Sequence, residues 1–406
     1  MRIGLSTSVI QRGKSGVGQY VLALAKAFLP YTRKHDFTLF VLEEDLDLFS
    51  FATTEMQTFV VPEKYRPPVR DIWWHQSRLP GLARQLGLDI LHVPSYRRMV
   101  WQRPCPVVAT IHDLAPFHVP GKYDWLRMTY ARTFVRYLSR RQDAVIAISQ
   151  TTARDIDRFF GRPLNSIDVV PNGLDHDRLA PCDQAPARRL VSDRHTLDKP
   201  FFVYVSRLEH PGKNHVRLIT AFNNFKAATS SPWQLVFAGG DWHGSEIIHG
   251  AIRQSPFASD IRALGFVPSE DIPLLYQAAG ACVYPSLFEG FGMPPLEAMA
   301  CGCPVISSNR GSLAEVVADA AITLDPVDLK AWKREMLRIS SDETLRSGLR
   351  AKGLARAAQF DWHKTAAATL DVYERTISRV GARRLFRASL PKAREMQPAS
   401  ARSVTL

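Results

Sequence analysis

Ala281-Cys282-Val283-Tyr284-Pro285-Ser286-Leu287-Phe288-Glu289-Gly290-Phe291-Gly292-Met293-Pro294-Pro295-Leu296-Glu297-Ala298-Met299-Ala300 sets the architecture of this chain. The apolar run 281–284 reads as a short buried strand that ends at Tyr284-Pro285-Ser286. A glycine-rich turn follows. A helix is predicted from about Pro295, a residue type favoured in a helix's first turn. Strand, tight turn and helix in that order make one βα unit of a parallel sheet. The turn also carries chemistry. Amides at Gly290, Phe291 and Gly292 are placed to meet a phosphate at the helix N-terminus. Glu289 in the loop and Glu297 in the predicted first turn can accept hydrogen bonds from sugar hydroxyls. A carboxylate at a helix start also serves the macrodipole. That accounts for Glu297, but not for Glu289 or the glycines.

The same unit recurs in both directions along the chain. In the second half, strands are predicted at 201–205, 234–238, 262–266, 281–284, 304–307 and 321–324. In the first half they are predicted at 2–6, 37–42, 59–62, 90–94, 107–112, 144–149 and 168–171. Several are near-continuous apolar runs, as expected for parallel strands covered on both faces. Helical periodicity lies between them, as at 20–29, where Tyr20, Leu24, Ala27 and Phe28 share a face before Pro30. Two successive βα series imply an α/β chain of two Rossmann-like, doubly wound domains. The expected division is 1–180 and 181–360, with the boundary in the polar stretch 175–199. A C-terminal helix is expected within 361–380, crossing back to the first domain, and then a flexible basic tail over 381–406. Ligands of such sheets bind beyond the carboxyl ends of the strands.

The length of 406 residues suits two or three domains. No run reaches about 18 apolar residues, so no transmembrane helix is expected. The start, Met1-Arg2 and then 3–10, reads as a buried first strand rather than a leader. Five scattered cysteines (Cys105, Cys182, Cys282, Cys301, Cys303) form no disulfide framework or zinc pattern and fit a reducing cytoplasm. The 52 Lys and Arg against 39 Asp and Glu give a net charge of +13. Such a surface either attracts anions or simply keeps the protein in solution.

Three further stretches follow predicted strands. Gly13-Lys14-Ser15-Gly16-Val17-Gly18 resembles a phosphate loop. It is no Walker A motif, because Ser8 stands where the first glycine belongs, and no dinucleotide fingerprint, because Val21 stands at the third glycine. Gly16 and Gly18 would still let backbone amides approach an anion, although a plain glycine turn reads the same way. Thr110-Ile111-His112-Asp113 ends a buried strand and would point His112 into the cleft, unless His112 is a packed structural residue. Val205-Ser206-Arg207-Leu208-Glu209-His210-Pro211-Gly212-Lys213-Asn214 places two cations six residues apart, a spacing suited to a diphosphate. Three Asp-x-Asp tripeptides (Asp45/Asp47, Asp155/Asp157, Asp175/Asp177) could hold a metal, but none has a coherent ligand set around it.

Taken together and in order, these stretches and Val170-Pro171-Asn172-Gly173-Leu174-Asp175 resemble the retaining glycosyltransferases of family 4, of the GT-B fold, over about residues 1–380. Glu289 and Glu297 stand at that family's separation. The resemblance implies two domains facing a central cleft. It implies that Arg207 and Lys213 bind the donor diphosphate, and that Glu297 holds the nucleotide ribose. Glu289, with backbone at Gly290, Phe291 and Gly292, would bind sugar hydroxyls. His112 would face the sugar from the other domain, and Gly16 and Gly18 would line the cleft. The implied reaction retains anomeric configuration and needs neither metal nor cofactor. Ser15 to Tyr20 and Thr110 to Pro116 look most like the mannosyltransferase branch of bacterial surface-polysaccharide synthesis. GDP-mannose is therefore the first-choice donor and UDP-glucose the second, with a polyprenyl-diphosphate-linked saccharide as acceptor.

The stretch 121–142 interleaves Tyr123, Trp125, Leu126, Met128, Tyr130, Phe134 and Leu138 with Lys122, Arg127, Arg132, Arg136, Arg140 and Arg141. It reads equally as a helix packed on the sheet or as one resting on anionic lipid. With the basic tail, it leads to an expected peripheral attachment at the inner face of the cytoplasmic membrane. Nucleic acid is not expected as a partner. The rival readings are a nucleotide-dependent oxidoreductase using Glu43 or Glu44, a non-catalytic nucleotide-sugar binder, and a phosphorylase carrying pyridoxal phosphate.

Overall fold

A computed structural model describes residues 1–119 and 125–389. Two wholly parallel sheets form the frame. The first contains β1 (Arg2–Ser6), β2 (Asp36–Leu42), β3 (Gln57–Val61), β4 (Ile90–Val93), β5 (Val107–Ile111), β6 (Ala144–Ala147) and β7 (Ile167–Val169), in the order β3-β2-β1-β4-β5-β6-β7. The second contains β8 (Phe201–Val205), β9 (Gln234–Ala238), β10 (Ile261–Ala263), β11 (Ala281–Tyr284), β12 (Val305–Ser308) and β13 (Ile322–Leu324), in the order β10-β9-β8-β11-β12-β13. These are two Rossmann-like lobes of GT-B type. Strand order reverses between β1 and β4 in the first sheet and between β8 and β11 in the second. A crevice opens beyond the strand ends at each of these switch points.

The central strands are buried on both faces because their sequences are apolar throughout. Ile3, Leu5, Val108, Ile146, Val203, Val236 and Cys282 are all sealed from solvent. The helix Trp362–Ser389 closes the chain against the first lobe. Its Ala366, Leu370 and Tyr373 are buried with Leu24 and Phe28, Thr365 Oγ1 donates to the Pro171 carbonyl at 2.8 Å, and Arg375 pairs with Asp168 at 3.0 Å.

The structure departs from the sequence reading at several points. A helix, Gln184–His195, lies inside the stretch expected to be irregular. The first helix begins at Gly16, four residues before its apolar face does, because Ser15 caps it. The helix after β11 begins at Met293 rather than Pro295. Glu297 therefore lies beyond its first turn, and the macrodipole explanation of that carboxylate falls away. The terminal helix runs on to Ser389, through the start of the expected flexible tail; Lys392, Arg394 and Arg402 of that tail lie outside the described residues, as do Lys122 and Tyr123.

Gly16 and Gly18 do different jobs. A Cβ on Gly18 would stand 2.3 Å from the Ile10 carbonyl oxygen, whereas one on Gly16 would meet nothing within 4 Å. Gly18→Ala is expected to lower stability by about 2 kcal/mol, while Gly16→Ala leaves it unchanged or slightly higher. Thermal unfolding of the two variants checks this contrast.

Candidate active site

The second lobe's site assembles at its switch point. The segment after β8 and the turn after β11 lie side by side because their strands are neighbours in the sheet. Several bonds join them. Asn214, at φ +61°, donates its side-chain amide to the Pro285 carbonyl at 3.0 Å and to the Pro326 carbonyl at 2.9 Å. Leu287 N–H donates to the Gly212 carbonyl at 3.0 Å. Tyr204 Oη donates to the Lys213 carbonyl at 2.7 Å.

Held in this way, Lys213 Nζ reaches Glu289 Oε1 at 2.6 Å, and Tyr284 Oη donates to the same oxygen at 3.1 Å. Lysine and glutamate are both mostly buried here, at 16% and 17% side-chain exposure, so the charge pair is shielded from water. Arg207 is more open, at 43% exposure. Its guanidinium lies 4.6 Å from the Trp242 ring centroid and 3.3 Å from Glu209. The sequence reading grouped Arg207 with Glu289 and Glu297; its described contacts are with Glu209 and Trp242.

Gly292, at φ +108°, turns the chain into the helix Met293–Ala300. No described residue accepts a hydrogen bond from the amides of Gly290, Phe291 or Gly292. They remain available at the helix N-terminus, where an anion is favoured. Burial pushes the Glu297 carboxyl above its ordinary range, opposed by the Arg178 guanidinium. That guanidinium lies 3.7 Å from Glu297 Oε1 and donates to the Ser269 carbonyl at 3.0 Å. Arg178 escaped the sequence reading although it stands only three residues beyond the quoted motif ending at Asp175.

The first lobe contributes His112, the residue directly after β5. Its Nε2 lies 3.1 Å from the Pro94 carbonyl, just beyond the end of β4. Burial lowers the imidazole pKa to about 4. The ring is therefore neutral near pH 7, and the Pro94 contact makes Nε2 the protonated nitrogen. Gly18 does not offer its amide to a ligand as the sequence suggested, because that N–H donates to Ser15 Oγ at 3.0 Å. Gly16, at the helix start, remains exposed.

The lobes touch at the site. A Cβ on Gly290 would lie 2.0 Å from the His112 carbonyl oxygen. Ser149 Oγ and Thr152 Oγ1 donate to the Gly290 carbonyl at 2.8 and 3.2 Å. Glu315, from the second lobe, accepts from the amides of Gln150 and Thr151 at 2.7 and 3.0 Å, at the N-terminus of the helix Gln150–Asp155. Sequence reasoning missed these residues, since no local pattern marks a partner on another lobe.

Four of the six Asp-x-Asp carboxylates have cationic or polar partners. Asp45 and Asp47 face Arg12, and Asp45 also faces Arg66. Asp155 meets His118 at 2.8 Å, and Asp175 accepts from the Arg178 amide at 3.1 Å. Among the described residues no group of three or more metal-ligating side chains converges.

Residues 14–178 match the model of the family described as Glycosyltransferase Family 4, and residues 191–356 match that of Glycosyl transferases group 1. The chain is 29% identical over 395 residues to O-antigen chain mannosyltransferase B of Escherichia coli, covering 92% of this chain and 100% of that protein. It is 29% identical over 279 residues to the serotype-specific mannosyltransferase WbdA of Escherichia coli, covering 68% of this chain and 34% of WbdA, so it spans about a third of that relative. Among solved structures, Anabaena Alr3699/HepE in complex with UDP and glucose superposes with a TM-score of 0.73 at 18% identity, over 92% of this chain and 99% of that one. The fold is GT-B, and the family matches make this an enzyme that transfers glycosyl groups. The first half of the chain carries a Glycosyltransferase Family 4 domain and the second half a Glycosyl transferases group 1 domain.

Two outcomes are expected. Glu315→Ala removes the carboxylate that joins the lobes; kcat should fall roughly tenfold, and the radius of gyration from solution X-ray scattering should rise. The second concerns pH. His92 and His112 have folded pKa values of about 3 and about 4 against 6.5 when exposed. Between about pH 4 and 6.5 the unfolded chain therefore binds protons that the folded chain does not. Stability rises with pH across that window and levels off above about pH 7, with a slope of up to about 1.4 kcal/mol per pH unit for each histidine. Urea midpoints from pH 5 to 8 should show this rise, and His112→Asn should make it shallower, since His92 and His215 still contribute.

Proposed function

We propose that this glycosyltransferase moves mannose from GDP-mannose, with retention of anomeric configuration, onto a polyprenyl-diphosphate-linked saccharide in bacterial surface-polysaccharide synthesis. The observation that carries this reading is the Lys213–Glu289 pair, joined at 2.6 Å beside the open amides of Gly290 to Gly292. A cation, a carboxylate and a helix N-terminus at one switch point form a receptor for a sugar diphosphate. The mannosyl specificity and the surface-polysaccharide setting draw support from the E. coli relatives' names.

In this reading the outgoing diphosphate develops charge as the anomeric C–O bond breaks. Lys213 and Arg207 stabilise it as fixed cations, and the amides at Gly290 to Gly292 as fixed dipoles. Each such donor is typically worth about 3–4 kcal/mol in a preorganised site. Glu289 takes hydrogen bonds from sugar hydroxyls once the donor draws Lys213 toward phosphate. Glu297 accepts from the ribose, with the Arg178 guanidinium opposing the upward push of burial on its carboxyl. Neutral His112 presents its ring to the sugar from the first lobe. The acceptor hydroxyl attacks the face the diphosphate leaves, its proton passing to the departing phosphate oxygen. Positive charge comes from the protein, so no step calls for a metal or a cofactor.

The acceptor's lipid places the enzyme at the inner face of the cytoplasmic membrane. Among the described residues no helix is long and apolar enough to cross it. Peripheral contact is supported by Trp125 and Leu126, exposed at 73% and 62%, beside the exposed Arg127, Arg132, Arg136, Arg140 and Arg141.

A thermal-shift and hydrolysis screen of GDP-mannose, UDP-glucose and related donors tests the assignment. GDP-mannose should give the largest stabilisation, and NMR of the product should show the α-anomer from the α-donor. Preference for UDP-glucose would redirect the donor assignment; an inverted product would overturn the mechanism. Glu297→Gln should raise the donor KM about tenfold or more, with a smaller change in kcat. Flotation with anionic vesicles should retain the enzyme at low salt and release it at high salt.

A further inference from the structure

The first lobe buries a histidine that the transfer chemistry leaves unused. His92, in β4, is sealed from solvent. Both of its ring nitrogens have hydroxyl partners. Nδ1 lies 2.7 Å from Tyr373 Oη, on the helix that closes the chain. Nε2 lies 2.8 Å from Thr110 Oγ1, two residues before His112. Thr110 Oγ1 lies in turn 3.4 Å from Tyr20 Oη. The Tyr20 ring meets the His112 ring edge-on, with centroids 4.6 Å apart and planes at 77°. The same tyrosine ring lies 5.7 Å from Trp362, at the start of the closing helix.

The row is polar where packing alone would call for apolar side chains. Burial holds His92 neutral, with a pKa of about 3. A neutral imidazole donates through one nitrogen and accepts through the other. If Tyr373 donates to Nδ1, then Nε2–H donates to Thr110, whose hydroxyl proton is left for Tyr20. The reverse direction satisfies the ring equally. Either way each hydroxyl is oriented by the next, and loss of one leaves a buried polar partner unpaired. The row begins on an element that follows the second lobe in sequence and ends at the first lobe's cleft residue.

We propose that Tyr373, His92, Thr110 and Tyr20 form a positioning row through which the closing helix fixes the His112 ring in the cleft. None of the four touches the substrate; each acts through His112. The proposal rests on the reading of His112 as the first lobe's contact with the donor sugar.

The test uses the full chain. Tyr373→Phe keeps the ring and removes one hydroxyl; Thr110→Val breaks the row in the middle and serves if the first variant does not fold. Histidine side-chain NMR, assigned with His112→Gln and His92→Gln, should show the His112 ring signals shifted in either row variant. With GDP-mannose, Tyr373→Phe should lower kcat about tenfold with donor KM within about twofold, and should cost nothing further in a His112→Gln background. A shift confined to His92, or an equal loss of kcat in both backgrounds, overturns the proposal. Wild-type turnover by His112→Gln alone would instead contradict the functional reading of His112.

Discussion

The α-carbon of Gly290 rests against the backbone of His112 on the opposite lobe, so closely that a Cβ would stand 2.0 Å from the His112 carbonyl oxygen. No side chain fits there without parting the lobes. The contact brings the turn that carries Glu289 into register with the end of β5. Ser149 and Thr152 hold the Gly290 carbonyl from the first lobe, and Glu315 accepts from the first two amides of the helix that contains Thr152. The first lobe supplies residues beyond β5 and β6 and the second supplies residues at its switch point; the glycine contact brings the two sets together.

Electrostatics decides what that cleft can bind. Lys213 and Glu289 are mostly buried, and each would be costly to leave unpaired. Their pairing keeps the ammonium in place before a donor arrives. A diphosphate offers the lysine a stronger anionic partner, and sugar hydroxyls offer the glutamate replacement donors. In the proposed mechanism the pair thus marks where both halves of a nucleotide sugar would bind. Arg207, stacked on Trp242 with its edge still in water, adds a second cation at less desolvation cost. Because these groups are fixed beforehand, little reorganisation is needed when charge develops on the leaving group.

Much of this was legible in the sequence. Parallel strands buried on both faces are apolar throughout, so their runs stood out, and the chemistry-bearing residues followed them directly. That rule singled out His112, Lys213 and Glu289, and the structure sets them in the segments that follow β5, β8 and β11. The helix Gln184–His195 was not, because it buries only Ala187 and Val191 and so shows almost no apolar face. Glu297 was placed two residues too near its helix start because the left-handed Gly292 begins that helix at Met293, a backbone event that composition does not display. Arg178, Trp242 and Glu315 were invisible for another reason. Their significance lies in partners distant in the chain, and nothing near them in sequence announces a contact made across a fold.

In the proposed mechanism, fixed protein cations stabilise the departing diphosphate. The most direct measurement is the single-turnover rate of Lys213→Ala on GDP-mannose beside its affinity for GDP, each with chelator and with added magnesium. A rate loss of about a hundredfold or more, with a much smaller loss of GDP affinity and no response to chelator or magnesium, is the predicted result. Equal losses of rate and affinity, or recovery of the rate by magnesium, would contradict it.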